Sequence, residues 1–153
     1  MLSRICISFF VIISFISVSY AAREREGTVN DDWINVDTKS IFLQINFADA
    51  GNSPEAVLDT GKYSIRAKGQ RKIIGRLDSD MPDNTKMEIK LNAKKGAISC
   101  GFVQLSTYYK DLVTNIGSGK SDNRTLTFRF SATAKSQSFN VTNKTLILSI
   151  VSQ

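Results

Sequence analysis

The segment RTLTFRFSATA, residues 124–134, alternates apolar and polar residues over most of its length. Leu126, Phe128, Phe130 and Ala132 fall on one side, with Thr125, Thr127, Arg129 and Ser131 between them. A half-buried strand has this period of two; a helix, at 3.6 residues per turn, does not. The same period recurs in TLILSIVS, residues 145–152, where Leu146, Leu148 and Ile150 share a face. It recurs again in SIFLQINF, residues 40–47, and over Met87, Ile89 and Leu91 within residues 86–91. Shorter strands are expected at Trp33–Val36 and Phe102–Leu105. KYSIRAKGQRKIIGRL, residues 62–77, reads as a hairpin turning at Lys68–Gln70, and the strands at 124–134 and 145–152 read as a second, longer one. In STYYKDLV, residues 106–113, Ser106 or Thr107 can cap a single helical turn. Segments rich in Gly, Asn, Asp, Ser and Pro separate the strands: ADAGNSPEA, DSDMPDN and GSGKSDN. About eight strands with turn residues between them, and no amphipathic helix of useful length, predict an all-β fold. The expected architecture is an antiparallel Greek-key sandwich of immunoglobulin-like or fimbrial-like type.

The first 21 residues have another character. Met1–Arg4 is a short basic start, Ile5–Val18 is uncharged and largely apolar, and SVSYAA offers small residues to a signal peptidase. This is the three-part layout of a secretory signal peptide, with the cut expected after Ala21. The apolar run falls short of the roughly 20 residues that span a bilayer. Residues 22–32, AREREGTVNDD, read as a flexible charged leader, and residues 33–153 as one β-sandwich domain. Of 20 lysines and arginines and 14 aspartates and glutamates, only Arg4 lies before the cut, so the mature chain carries 19 cations against 14 anions, a net of +5. That excess favours anionic surfaces without naming one. The signal peptide predicts export to the cell surface or extracellular space or, in a host with two membranes, to the periplasm beyond the inner membrane.

Cysteine and histidine usage narrows the chemistry. Cys6 lies in the expected signal peptide, so Cys100 is the one mature cysteine and a disulfide-stapled scaffold is excluded. Within ISCGFVQL, Cys100 reads as a small buried hydrophobe. The chain has no histidine, which removes Ser-His-Asp and Cys-His catalysis and the usual zinc sites. No enzyme activity and no cofactor are expected.

Four groups of residues remain as candidates. Arg66, Lys68, Arg71, Lys72 and Arg76 would share a solvent face on a hairpin, as an anion patch for glycan or lipid. No aromatics are interleaved to stack bases, so nucleic acid is not an expected partner. Asp78, Asp80 and Asp83 alternate as calcium ligands do, but the EF-hand glycine and terminal glutamate are missing, and the same residues suit a tight turn. Asp59-Thr60-Gly61 matches the aspartic-protease signature, and IIGR at residues 73–76 matches its companion element. The spacing between them is too short for that fold, and a turn is the simpler reading. Trp33, Tyr108 and Tyr109 could form a sugar platform or simply rim the core. Asn123, Asn140 and Asn143 begin N-glycosylation sequons that matter only in a eukaryotic host.

KIIGRLDSDMP, GAISCGFVQLST, DLVTNIG, LTFRFSAT and TLILSI together resemble a family of small, uncharacterised exported proteins of Gram-negative bacteria, whose members look like fimbrial-subunit β-sandwiches. The resemblance spans about residues 63–151. It implies a bacterial host and a periplasmic or surface structural or adhesive subunit whose partners are other subunits of an assembly. The paired cysteines and near-terminal tyrosine of common pilins are absent, and AREREGTVNDD lacks the alternating apolar pattern of a donor strand. The expected function is therefore a non-enzymatic, fimbria-like surface subunit. The alternative is a monomeric module that binds an anionic glycan or lipid through residues 66–76, and more remotely a dimeric aspartic protease on Asp59.

Overall fold

The computed structural model describes residues 12–20, 32–36, 41–45, 55–132 and 142–153. They form eleven strands: β1 (Ile12–Tyr20), β2 (Trp33–Val36), β3 (Ile41–Ile45), β4 (Glu55–Ala67), β5 (Arg71–Leu77), β6 (Thr85–Leu91), β7 (Ile98–Ser99), β8 (Val103–Gln104), β9 (Lys110–Ile116), β10 (Gly119–Ala132) and β11 (Thr142–Ser152). The strands make two sheets, in the orders β3-β1-β11-β5-β9-β7 and β2-β4-β10-β6-β8. Every pairing is antiparallel except that of β1 with β11, which is parallel. The fold is all-β, as the alternating patterns predict, and compatible with a sandwich. No helix among the described residues is long and apolar enough to cross a membrane.

The order of strands follows one rule. All odd-numbered strands lie in the first sheet and all even-numbered ones in the second, so the chain changes sheet at every connection. Among the described residues no two consecutive strands pair. This corrects both expected hairpins: β4 pairs with β2 and β10 while β5 pairs with β11 and β9, and β10 and β11 lie in different sheets. Alternation specifies which face of a strand is buried, and both members of a crossing pair satisfy it as well as a hairpin does.

The core lies between the two sheets. From β10, Leu126, Phe128 and Phe130 are fully buried; β6 adds Met87, Ile89 and Leu91 on the same face. Opposite them stand Ile73 and Leu77 of β5, Leu112 and Val113 of β9, and Leu146 and Leu148 of β11, all in one continuous cluster. Gly75 leaves room for this packing, since a Cβ there would lie 2.7 Å from Leu112 Cδ1 and 3.0 Å from Leu148 Cδ2.

Two further expectations change. Residues 110–116 form strand β9, not the end of a helical turn. Leu112 and Val113 are adjacent yet both buried, because the β5–β9 ladder shifts register at two places. Bulges of this kind break the period of two and so hide the strand from a periodicity reading. Asp59-Thr60-Gly61 is no turn: it lies within the thirteen-residue β4, with Asp59 opposite Phe128 and Gly61 opposite Leu126. DSDMPDN does form bends and a turn, with Asn84 at φ 61°. Residues 12–20, expected to be removed with the signal peptide, supply β1 between β3 and β11. Residues 22–31 of the leader, residues 48–54 of the expected loop ADAGNSPEA and Asn140 lie outside the described residues, and the last two residues of that loop, Glu55 and Ala56, begin β4.

Candidate functional site

The five cations expected to form one patch are distributed over both sheets. Arg66 lies near the end of β4, opposite Trp33 of β2 and Lys120 of β10. Lys68 follows β4, and its backbone N–H donates to Asp32 Oδ1. Arg71 Nε donates to Asp32 Oδ2 at 2.6 Å. Lys72 Nζ pairs with Asp111 at 2.9 Å across the β5–β9 ladder. The Arg76 guanidinium lies 5.2 Å from the centroid of the Tyr109 ring. That contact, led by a hydrogen bond from Arg76, lowers the pKa of the Tyr109 phenol. Because β4 and β5 belong to different sheets, Arg66 and the β5 cations do not share a strand ladder.

The aspartate loop is held by an ammonium group. Asp78 Oδ1 accepts hydrogen bonds from Thr145 N–H at 3.1 Å and Ser79 Oγ at 3.2 Å. Burial alone would raise the Asp78 pKa, but these hydrogen bonds outweigh it and hold the carboxyl below its usual range. Asp80 accepts from Thr107 Oγ1 at 3.2 Å. Lys144, only 7% exposed, extends from β11 and donates to Ser79 Oγ at 2.9 Å and to the Asp80 carbonyl. Asp83 is exposed in the turn. No group of three or more potential metal-ligating side chains occurs among the described residues.

Trp33 and the two tyrosines do not make one platform in the strand framework. Trp33 is on β2 of the five-stranded sheet, with the Lys120 ammonium 5.9 Å from its ring centroid. Tyr109 instead meets Arg76 of the six-stranded sheet, and Tyr108 is 77% exposed.

Cys100 is exposed, correcting the expectation of a buried thiol. It follows β7, a two-residue edge strand, and its backbone N–H donates to Leu112 O at 3.0 Å. Partial burial, and then the Asp111 carboxylate, raise the thiol pKa. Since the thiolate is the reactive form, native Cys100 should label completely with a small maleimide at pH 7.5, but more slowly than a free model thiol. Absence of native labelling, followed by full labelling in denaturant, would restore the buried reading.

The structure gathers a different set of residues at one end of the molecule. Lys94, Lys95, Asn115, Ser118, Lys120 and Arg124 are among those lining an open cavity of about 500 Å³. They come from the β6–β7 connection, the end of β9, the β9–β10 turn and the start of β10. Lys94 Nζ donates to the carbonyls of Gly117, Ser118 and Gly119, which clamps the turn. Asn115 Nδ2 reaches Gly96 O at 3.4 Å, and Gly69 N–H donates to Ser118 Oγ at 2.8 Å. Asn115 and Asn123 adopt φ of 57° and 53°, the left-handed region that asparagine tolerates better than most residues. Asn123 lies where the β4–β10 ladder slips between Ser121 and Arg124. No motif announces this cavity. Its cations are separated by up to thirty positions in sequence, and only the turns bring them together.

No protein-family model matches the chain, and no characterised protein matches its sequence.

Proposed function

We propose that the protein is a non-enzymatic, exported structural or adhesive subunit of a bacterial surface assembly, with a fimbria-like Greek-key sandwich. The observation that carries this reading is the position of β1. The segment with signal-peptide character occupies an interior lane of the six-stranded sheet, between β3 and β11. Cleavage after Ala21 removes it and leaves the eleven-residue β11 without a partner on one side. An unpaired strand bordering a core is a template for strand addition, and a segment from another polypeptide completes it. The opposite flanks of the two sheets end in β7 and β8, each of two residues, which offer little to pair with. Strand addition is therefore one-sided. The family resemblance of residues 63–151 supports the same reading.

The alternative, a monomer gripping an anionic glycan or lipid through residues 66–76, is less favoured, because Arg71, Lys72 and Arg76 are each engaged with Asp32, Asp111 and Tyr109. For the dimeric protease, Asp59 lies within a paired strand opposite Phe128, a poor place to meet a second aspartate.

The test begins with mass spectrometry of the exported protein, expected to show a chain starting at Ala22. That species should form SDS-resistant, concentration-dependent oligomers. A solubilised peptide carrying residues 12–20, added during refolding, should raise its melting temperature by about 10 °C or more through mass action on the vacant lane. An exported protein that retains residues 12–20, or a cleaved one that stays monomeric and gains nothing from the peptide, would overturn the proposal.

A further inference from the structure

We propose that the cavity between the β6–β7 connection and the β9–β10 turn is an oxyanion site, built for a phosphate or sulfate group such as surface saccharides carry. Four cations line it, Lys94, Lys95, Lys120 and Arg124, and no carboxylate does. Elsewhere on the described surface three cations have carboxylate partners: Arg71 with Asp32, Lys72 with Asp111, and Arg129 with Glu88. Within the cavity only Lys120 has such a partner, Asp122, at 3.0 Å.

Arg124 carries the argument furthest. The register slip between Ser121 and Arg124 sets it opposite Tyr63, a core residue only 2% exposed. Arg124 is itself half-buried, and Nε is used by Ser121 Oγ at 3.0 Å. No ion pair joins it to a carboxylate among the described residues. A partly desolvated guanidinium without a counter-charge is costly, and its planar fork suits a tetrahedral oxyanion. Lys95 is exposed at the rim and has no ion-pair partner among the described residues. The Lys94 clamp on three turn carbonyls preorganises the wall, so binding need not order the loop. The Ser118 and Asn115 side chains supply neutral polar groups beside the cations.

This site is separate from the vacated lane beside β11, and from Lys72 and Arg76. Isothermal titration of the exported protein with inorganic phosphate, and separately with glucose 6-phosphate, decides the matter. Saturable binding is expected, weakened about tenfold or more by Lys95→Gln and by Arg124→Gln, and weakened by added salt. Lys86→Gln, at the far end of β6, and Lys72→Gln should leave it unchanged. Tighter binding of the sugar phosphate indicates a saccharide-borne group, and equal binding indicates the free anion. Absence of saturation with both probes would overturn the proposal. So would equal weakening by Lys86→Gln and Lys95→Gln, or an Arg124→Gln and Lys95→Gln pair that both bind normally while folded by circular dichroism.

Discussion

Phe128→Ala should cost about 3–5 kcal/mol of folding stability, the range for truncating a large, fully buried aromatic side chain. Phe128 is 0% exposed and sits on β10 between Ile89 of β6 and Asp59 of β4. Its ring lies on the core face, which also holds Leu126 and Phe130. Domains of this size have roughly 5–15 kcal/mol in total, so the variant approaches the folding threshold. Urea denaturation followed by the fluorescence of Trp33, the single tryptophan, gives the difference from the shift in midpoint. Phe128→Leu keeps most of the volume and should lose about 1–2 kcal/mol, which keeps the comparison measurable if the alanine variant does not fold. Thr127→Ala, one position away on the outer face, should change stability by about 0.5 kcal/mol or less. A Phe128→Ala loss below about 1 kcal/mol would contradict a core shared by the two sheets.

The second large effect is alkaline. Burial pushes the Tyr63 phenol up to about 12 from an ordinary 10.0, against a smaller opposing influence from Arg124. The neutral phenol donates to Asn92 O at 2.7 Å. In the unfolded chain the phenol gives up its proton first, so from about pH 10 upward the unfolded state binds fewer protons than the folded one. The stabilisation is complete below about pH 10 and is lost as pH rises towards about 12. Its size is roughly 2–3 kcal/mol, at about 1.4 kcal/mol per pKa unit. Tyr63→Phe should lower stability by about 1 kcal/mol at pH 8 through the lost hydrogen bond, and should flatten the fall between about pH 10 and 12. Tyr109 has the opposite sign, since its phenol is lowered in the fold, so Tyr109→Phe should not flatten that fall. Denaturant midpoints at intervals from pH 8 to 12 for the three proteins check it (assay range, about four units). Parallel curves for wild type and Tyr63→Phe would mean that the phenol is solvated.

The pattern of residues made the faces of strands legible and their partners illegible. Leu126, Phe128 and Phe130 are buried where alternation puts them, as are Met87, Ile89 and Leu91, and Leu146 and Leu148. The partner of each strand depends on the path of the connection. Lys68–Gln70 reads as a hairpin turn, yet it carries the chain from one sheet to the other. β9 was hidden by its register shifts, which bury the neighbours Leu112 and Val113 together. Gly61 suggested a turn but lies within β4, where a Cβ would make only an ordinary contact with Leu126 Cγ at 3.6 Å. Cys100 suggested burial from its apolar neighbours, while the two-residue β7 leaves it at an edge. For the sites, the densest run of cations drew attention to residues 66–76, where acidic residues and Tyr109 remote in sequence engage Arg71, Lys72 and Arg76. The cations at 94, 95, 120 and 124 are sparse in sequence and converge only after the β9–β10 turn has formed.

The alternation of odd and even strands between sheets also governs how the chain reaches its fold. Among the described residues every ladder joins strands at least two apart in the order β1 to β11, so none of these pairs closes by a tight local turn. The chain must close longer loops before any ladder offsets the lost entropy, which gives a high contact order and slow folding. Among the described residues no two consecutive strands form a paired unit, so a partly synthesised chain exposes unpaired edges until β10 and β11 arrive. Folding therefore waits for the C-terminal strands, and until they pair the open edges can associate with neighbouring chains.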